Sequence, residues 1–450
     1  MSAPSAPSTP RADDATGRTT PPARERRLPL VLRNRAFGAV WLGQVLTQAA
    51  VRMFQVGVSW WLVAYAVDGG QGLASGVLMA VSTLPAVALA PVVARAVARI
   101  AHRSVLRAAA GVAGAAAAAL AAWAWTGDLP LPAAYAAALA LAACQAFFDP
   151  CLTTSVPELV DDEDIEAATG FELSTQSLAG LGGALLGALI VDRAGVAGLA
   201  AGCAAAYVTA ALLITGVRFR AGSPGDARTP DDHTAPGHGP AAADDGAPAV
   251  PRTLRRILGE LPYVRRILLC FTAANLFTTA VFVVIPLYTR SVLAGGGGTV
   301  ALLEASLGIG TLVGSFTGAR VPGRPTVTGA LCLGLMAVAL ALPGLFAARP
   351  VFAGCLAVAG WCVGVVGVRF VALFQRLVPT ADKPGFFAVM QAVLGATFPA
   401  GSLLFGFAGD HLSAQTLCLA QAAGLVPAAC ALALLTGRSA PEPAPAGGAR

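Results

Sequence analysis

Long apolar stretches are the feature that most limits what this sequence can fold into. A helix needs about 20 apolar residues to cross the hydrocarbon core of a bilayer. Only 12% of the residues are charged, whereas soluble domains average about 25%. The sequence therefore predicts an all-α membrane protein and argues against a soluble nucleic-acid binder. Twelve spans are expected, at about residues 36–64, 73–95, 104–126, 131–155, 167–191, 195–217, 266–289, 300–320, 325–347, 350–374, 385–408 and 413–437.

The twelve spans fall into two sets of six. Residues 33–217 hold the first six and residues 266–437 hold the last six, so we expect two six-helix bundles. Residues 218–265 are predicted to be a cytoplasmic linker of low complexity that ends in a basic amphipathic segment. The polar ends of the chain, 1–32 and 438–450, are predicted to be disordered tails.

The two halves also carry a weak internal repeat. When residues 158–195 are set against 376–413 at a constant offset of 218, seven of the 38 positions are identical, including Asp192 and Asp410. The match needs no gap and falls at the same place in each set of six helices. It predicts that the two bundles are related by pseudo-symmetry.

The distribution of basic residues predicts the orientation. With the N-terminus on the cytoplasmic side, the cytoplasmic segments hold 25 of the 30 Lys and Arg residues. The loops on the outer side hold only Arg193, Arg290 and Arg349. Because cytoplasmic loops are enriched in Lys and Arg, we expect a multi-pass protein of the cytoplasmic membrane with both termini inside.

Four stretches of sequence carry a family resemblance. They are RNRAFGAVWLGQVLTQ at the start of helix 1, FFDPCLTTSVPELVDDEDIEAATG from helix 4 into helix 5, NLFTTAVFVVIPLYTRSVLAG in helix 7 and LLEASLGIGTLVGS in helix 8. Through them, residues 33–437 resemble the major facilitator superfamily, and within it the bacterial twelve-helix drug and siderophore exporters of the enterobactin-exporter and macrolide-efflux type.

The resemblance implies the major facilitator fold and secondary active export of a small organic molecule, such as an antibiotic or a secondary metabolite, by proton antiport. The sequence departs from the family at three places, one of them a pair of residues. Ala98 stands where an acid is usual in the loop between helices 2 and 3, and Ala184 replaces a proline of helix 5. Val51 and Arg52 occupy the place where relatives commonly have Asp-Gly. The antiport pattern is therefore incomplete.

The departures leave a second interpretation open, an intramembrane enzyme or ligand sensor on a transporter-like fold. Asp149 and Glu172 would then act as acid and base. The sequence shows no nucleophile with a base and an orienting group, so a transporter without enzymatic activity is the favoured interpretation. We expect no metal, cofactor or nucleic acid, because there is no His–Cys cluster and no GxxxxGK[ST] loop. The expected partners are the substrate, protons and the bilayer, and the chain is expected to be a monomer.

Polar residues within the predicted helices mark an expected cavity. Helix 1 carries five of them at helical spacing, Gln44, Gln48, Arg52, Gln55 and Ser59. This stripe predicts a cavity wall in which Arg52 attracts an anionic or acceptor-rich ligand, the alternative being an interhelical hydrogen-bond stripe. Asn275 and Trp361 are further candidates, and for Trp361 packing is equally compatible. The expected cavity residues are therefore Gln48, Arg52, Gln55, Asn275 and Trp361.

Depth along each helix separates the charged residues into two layers. At 1.5 Å per residue, Arg52 lies about 24 Å from the inner end of helix 1, and Glu304 about 6 Å from the outer end of helix 8. We expect these two to pair and to close the outer gate. Asp149, Glu172 and Arg369 lie nearer the inner ends, so Arg369 is expected to pair with one of the acids at the inner gate. Protonation of a carboxylate would weaken its gate and couple transport to protons.

Overall fold

A computed structural model describes residues 30–160, 164–217, 259, 262–379 and 383–436. These residues form helices joined by short turns, and no strand occurs among them. Most of the predicted N-terminal tail, the whole C-terminal tail and most of the predicted linker with its amphipathic segment lie outside the described residues. At their edges, Leu30–Arg33 forms a short helix at the end of the predicted N-terminal tail, and 262–265, the last four residues of the predicted linker, already belong to a membrane helix.

The described helices match the twelve predicted spans, and we number them α1 to α12. They are α1 (Arg35–Trp61, continued by Leu62–Ala66), α2 (Gln71–Ala88 and Ala90–Arg99), α3 (His102–Thr126), α4 (Leu131–Leu159), α5 (165–194), α6 (196–216), α7 (Pro262–Thr279 and Val281–Ser291), α8 (Gly297–Thr317), α9 (Pro325–Leu345), α10 (Arg349–Leu377), α11 (Lys383–Gly409) and α12 (Ala414–Thr436).

Length and hydropathy alone identify ten stretches within the described residues as able to cross a membrane. One of them, 178–216, is 39 residues long and contains both α6 and most of α5, which are separated by the left-handed backbone of Gly195 (φ 66°). The remaining helix is α1, whose three glutamines and Arg52 lower its mean hydropathy. The twelve-helix membrane architecture is therefore confirmed. We call the end where α1 begins and α12 ends the terminal face, and the other end the distal face.

Glycines bring α5 into backbone contact with α1. A Cβ atom on Gly183 would overlap the carbonyl oxygen of Ala49, and one on Gly187 would overlap that of Met53. Glycine therefore permits the two helix backbones to approach closely at these two positions. Gly180 has no atom within 4 Å of such a Cβ, so it does not take part in this contact.

The two bundles meet along α2 with α11 and along α5 with α8. Near the distal face, a Cβ on Gly76 would overlap the carbonyl oxygen of Ser402. On the other side, a Cβ on Gly297 would overlap the carbonyl oxygen of Ala188. Since only glycine permits backbones to approach this closely, the sequence builds a tight seal between the bundles at the distal face.

Candidate functional site

A cavity of about 440 Å³ lies between the two bundles. Its walls come from α1, α5, α7 and α8, so both halves of the chain contribute to it. One end is formed by Arg52 and Glu304. From there it runs toward the terminal face as far as Phe316, whose side chain is 71% exposed. Its lining is mostly apolar, with Arg52, Glu304, Thr311 and Ser315 as the polar side chains.

An ion pair between the halves closes the distal end of this cavity. The Arg52 Nη2 atom lies 3.2 Å from Glu304 Oε2. Glu304 is 5% exposed and Arg52 is 24% exposed, so the carboxylate is buried while the guanidinium still faces the cavity. The contact expected from helix depth is therefore present in the structure. A charge buried in a membrane protein needs such a partner, because its desolvation is costly.

Two further contacts hold the Arg52 guanidinium in place. Its Nη1 donates a hydrogen bond of 3.3 Å to Gln55 Oε1, and its Cζ lies 4.6 Å from the ring centroid of Phe282. The Phe282 ring stacks on Phe398 at 5.7 Å. The position of Phe282 beside Arg52 could not be read from the sequence, because an aromatic residue in an apolar helix gives no signal of its role. The arrangement adds a cation–π interaction to the ion pair.

The polar stripe of α1 divides between the cavity and the packing of the bundle. Arg52 lines the cavity. Gln44 and Ser59 are buried, and Ser59 lies 2.8 Å from the hydroxyl of Ser75 on α2. Gln48 donates a 2.7 Å hydrogen bond to Asp149 on α4. Gln48 is not among the residues that line the cavity, and its amide joins two helices of one bundle. Its role in binding substrate stays a prediction.

Asn275 lines a second cavity rather than the central one. This cavity has a volume of about 270 Å³ and lies within the C-terminal bundle, between α7, α9, α10 and α11. The Asn275 amide nitrogen donates to Thr397 Oγ1 at 2.6 Å and to the Leu394 carbonyl at 3.1 Å. The side chain thus joins α7 to α11 at the wall of a largely apolar space.

Trp361 and Arg369 are used inside the C-terminal bundle. The Trp361 indole nitrogen donates to Thr317 Oγ1 at 3.0 Å, and Trp361 lines neither cavity described above. Arg369 donates to the carbonyl of Gly323, in the turn between α8 and α9. The expected cavity role of Trp361 is therefore not seen. Arg369 does not pair with Asp149 in this structure, because its guanidinium is directed to its own bundle.

Of the two acids predicted at the inner gate, the structure describes the side chain of Asp149 but not that of Glu172. Asp149 accepts hydrogen bonds from Gln48 and from Gln145, so its carboxylate is embedded in an amide cluster between α1 and α4. Glu172 lies on α5, but its side chain is outside the described part of the structure. Within the described residues, no group of three His, Cys, Asp or Glu side chains is placed to hold a metal ion.

Comparisons with known proteins agree on the architecture. The family sequence model of the Major Facilitator Superfamily matches residues 40–324 of this chain. No match was found among the curated proteins. A bacterial homologue of the human lysosomal transporter Spinster, solved in an inward-facing and occupied conformation, matches with a TM-score of 0.68 and 11% identity over 91% of this chain and 98% of its own.

Two further solved structures show how widely the fold is shared. A D-xylose–proton symporter matches with a TM-score of 0.64 and 13% identity, over 88% of this chain and 96% of its own. A bacterial metal transporter matches with a TM-score of 0.60 and 14% identity, over 90% and 99%. At these identities the likeness establishes the fold and leaves the substrate open.

Proposed function

Because the chain belongs to the Major Facilitator Superfamily, we propose that it is a secondary active transporter that exports a small organic molecule across the cytoplasmic membrane. The proposed mechanism is alternating access, in which the two bundles rock around the central cavity and open it to one side at a time.

One observation carries the proposal: the Arg52–Glu304 pair bridges the two bundles and closes the distal end of the cavity. The cavity extends from this pair toward the terminal face. The excess of Lys and Arg on the side of the termini supports a cytoplasmic position for that face. In this orientation the cavity receives its substrate from inside the cell, which is the direction of loading that an exporter needs.

The lining supports a mostly apolar substrate with an anionic or hydrogen-bond-accepting group. Leu181, Phe282 and Leu307 provide apolar surface, while Arg52 is the cationic group that faces the cavity. A substrate that binds the guanidinium competes with Glu304 for it. Binding would thereby weaken the contact that holds the distal end closed, and so would link loading to opening.

Proton coupling, in this proposal, acts on the same pair. A proton on the Glu304 carboxylate would cancel its charge and remove the Coulomb attraction to Arg52. The proton would then reach the carboxylate from the distal side when the bundles separate there. Substrate leaves to the distal side as the proton binds. When the bundles close there again, Arg52 returns to Glu304 and favours its ionised form, so the proton is released to the cytoplasmic side and the cycle exchanges substrate for a proton.

The experiment is the accumulation of a chemically diverse compound panel in cells that lack their own pumps. Cells express the protein, Arg52→Ala or the control Arg290→Ala, which removes an exposed arginine near the distal face. The proposal predicts reduced accumulation of some compound, lost with Arg52→Ala and with a protonophore and kept with Arg290→Ala. Export that survives the protonophore would overturn the proton coupling. Export that survives Arg52→Ala would overturn the role of the central cavity.

A further inference from the structure

Asp192, near the end of α5, binds the first turn of a helix in the other bundle. Its Oδ2 accepts a hydrogen bond of 2.5 Å from the backbone nitrogen of Gly297, the first residue of α8. Its Oδ1 accepts hydrogen bonds from two side chains of its own bundle, the Trp60 indole at 2.6 Å and the Tyr65 hydroxyl at 3.0 Å. The carboxylate is thus held by its own half while it caps a helix of the other.

Asp410, just beyond the end of α11, makes the reciprocal contact. Its Oδ1 accepts from the backbone nitrogen of Gly72 at 2.7 Å, and its Oδ2 accepts from that of Leu73 at 3.1 Å. Both donors belong to the first turn of α2, in the N-terminal bundle. The first turn of a helix has free N–H groups and a partial positive charge, so a carboxylate stabilises it.

The two contacts repeat each other in sequence as well as in space. Asp192 and Asp410 are separated by 218 residues, the offset of the internal repeat. The residue one turn before each aspartate touches the same glycine that donates to the carboxylate: a Cβ on Gly297 would overlap the Ala188 carbonyl, and one on Gly72 would overlap the Gly406 carbonyl. Each bundle therefore offers to the other one aspartate and one helix with a glycine in its first turn.

We propose that Asp192 and Asp410 form a two-part latch that holds the distal face closed during the transport cycle. This rests on the alternating-access transport proposed above. Each contact crosses between the bundles, and both lie at the face that must open to release substrate. When the bundles separate there, both carboxylates lose their helix N-termini together. The latch would therefore set the ratio of distal-closed to distal-open protein, in addition to the Arg52–Glu304 pair.

The test measures opening directly, without any substrate. Two fluorescent dyes are attached through a non-natural amino acid at Gly127 and Ala347, exposed positions of distal loops in the two different bundles. Energy transfer between the dyes in single molecules reports the separation of the bundles at this face. The variants are Asp192→Asn, Asp410→Asn and the double variant, with Asp68→Asn as a control for an exposed aspartate of the same face.

Each single Asn variant should lower the closed-to-open ratio about fivefold, because an exposed charge-assisted hydrogen bond is replaced by a weaker neutral one. The double variant should show about the product of the two effects, since the contacts share no residue. The control should match the unmodified protein. A double variant that is folded and monodisperse but keeps the unmodified distribution of energy transfer would overturn the proposal.

Glycine variants provide a second route if the aspartate variants do not fold. Gly72→Ala and Gly297→Ala keep both carboxylates but place a methyl group against the opposing carbonyl. The latch predicts that they also shift the population toward the open state, and an unchanged distribution would contradict it. Because energy transfer reports opening and not flux, failure here leaves the export proposal standing. If the latch behaves as predicted but no export is found, only the export proposal would be overturned.

Discussion

Glu304→Gln tests the ion pair that closes the central cavity. The charged atoms of Arg52 and Glu304 are 3.2 Å apart, and Coulomb's law with an effective dielectric constant of about 20 gives an attraction of about 5 kcal/mol at that distance. Part of this is offset by the desolvation of Glu304. Water in the cavity screens Arg52, which is 24% exposed. The net loss expected is about 2 kcal/mol.

Because the Arg52–Glu304 pair joins the two bundles, it exists only while the bundles are closed at the distal end of the cavity. A loss of about 2 kcal/mol would therefore raise the ratio of distal-open to distal-closed protein about thirtyfold. Val300 lines a small space on the distal side of the pair and is 2% exposed, so a cysteine at this position reports opening. The rate of alkylation of Val300→Cys by a bulky maleimide should rise by the same factor, measured by peptide mass spectrometry, which distinguishes it from the native cysteines.

Thr311→Val is the matched control for this experiment. Thr311 lies on the same helix and lines the same cavity, but its hydroxyl donates to Leu307 of its own helix. It should leave the alkylation rate unchanged. Equal rates for Glu304→Gln and the unmodified protein would show that the pair contributes nothing to closure.

Three further predictions concern packing and the choice of cavity. Gly187→Val should lower the stability of the purified protein by about 1–3 kcal/mol because its side chain would overlap α1, whereas Gly182→Val, with no atom within 4 Å of its Cβ, should leave the melting temperature unchanged. Asp149→Ala should lower the melting temperature, because two glutamine amides lose their acceptor inside the bundle; an unchanged value would show that the cluster is not stabilising. Leu181→Trp should block export by filling the central cavity, while Val366→Trp should fill the second cavity and leave export intact. The reverse pattern would place the substrate in the C-terminal bundle.

The helices could be predicted from the sequence because the bilayer imposes a length. A run of about 20 apolar residues indicates a membrane-spanning helix, and each of the twelve predicted runs corresponds to a helix in the structure. The depth of a residue in the membrane can also be predicted from its position along the helix, since the rise per residue is constant. That is why Arg52 and Glu304, on helices far apart in sequence, were expected to meet, and they do.

Rotation about each helix axis could not be predicted in the same way. Trp361 and Arg369 stand at suitable depths, yet packing turns both toward partners in their own bundle. Asn275 lines a cavity, but a different one. The repeat did carry a signal for the latch, because Asp192 and Asp410 are identical at an offset of 218. It did not reveal the contacts, which depend on how the bundles meet.

Flux in sealed vesicles shows whether protons drive a compound through the central cavity. The purified protein is reconstituted, and movement of a compound identified by the cell assay is followed while a pH gradient of either sign is imposed. Proton-coupled alternating access predicts transport that reverses direction with the gradient and is lost in Glu304→Gln and Arg52→Ala. Movement of the compound that ignores the gradient, or that persists at the unmodified rate in both variants, would contradict proton-coupled alternating access through this cavity.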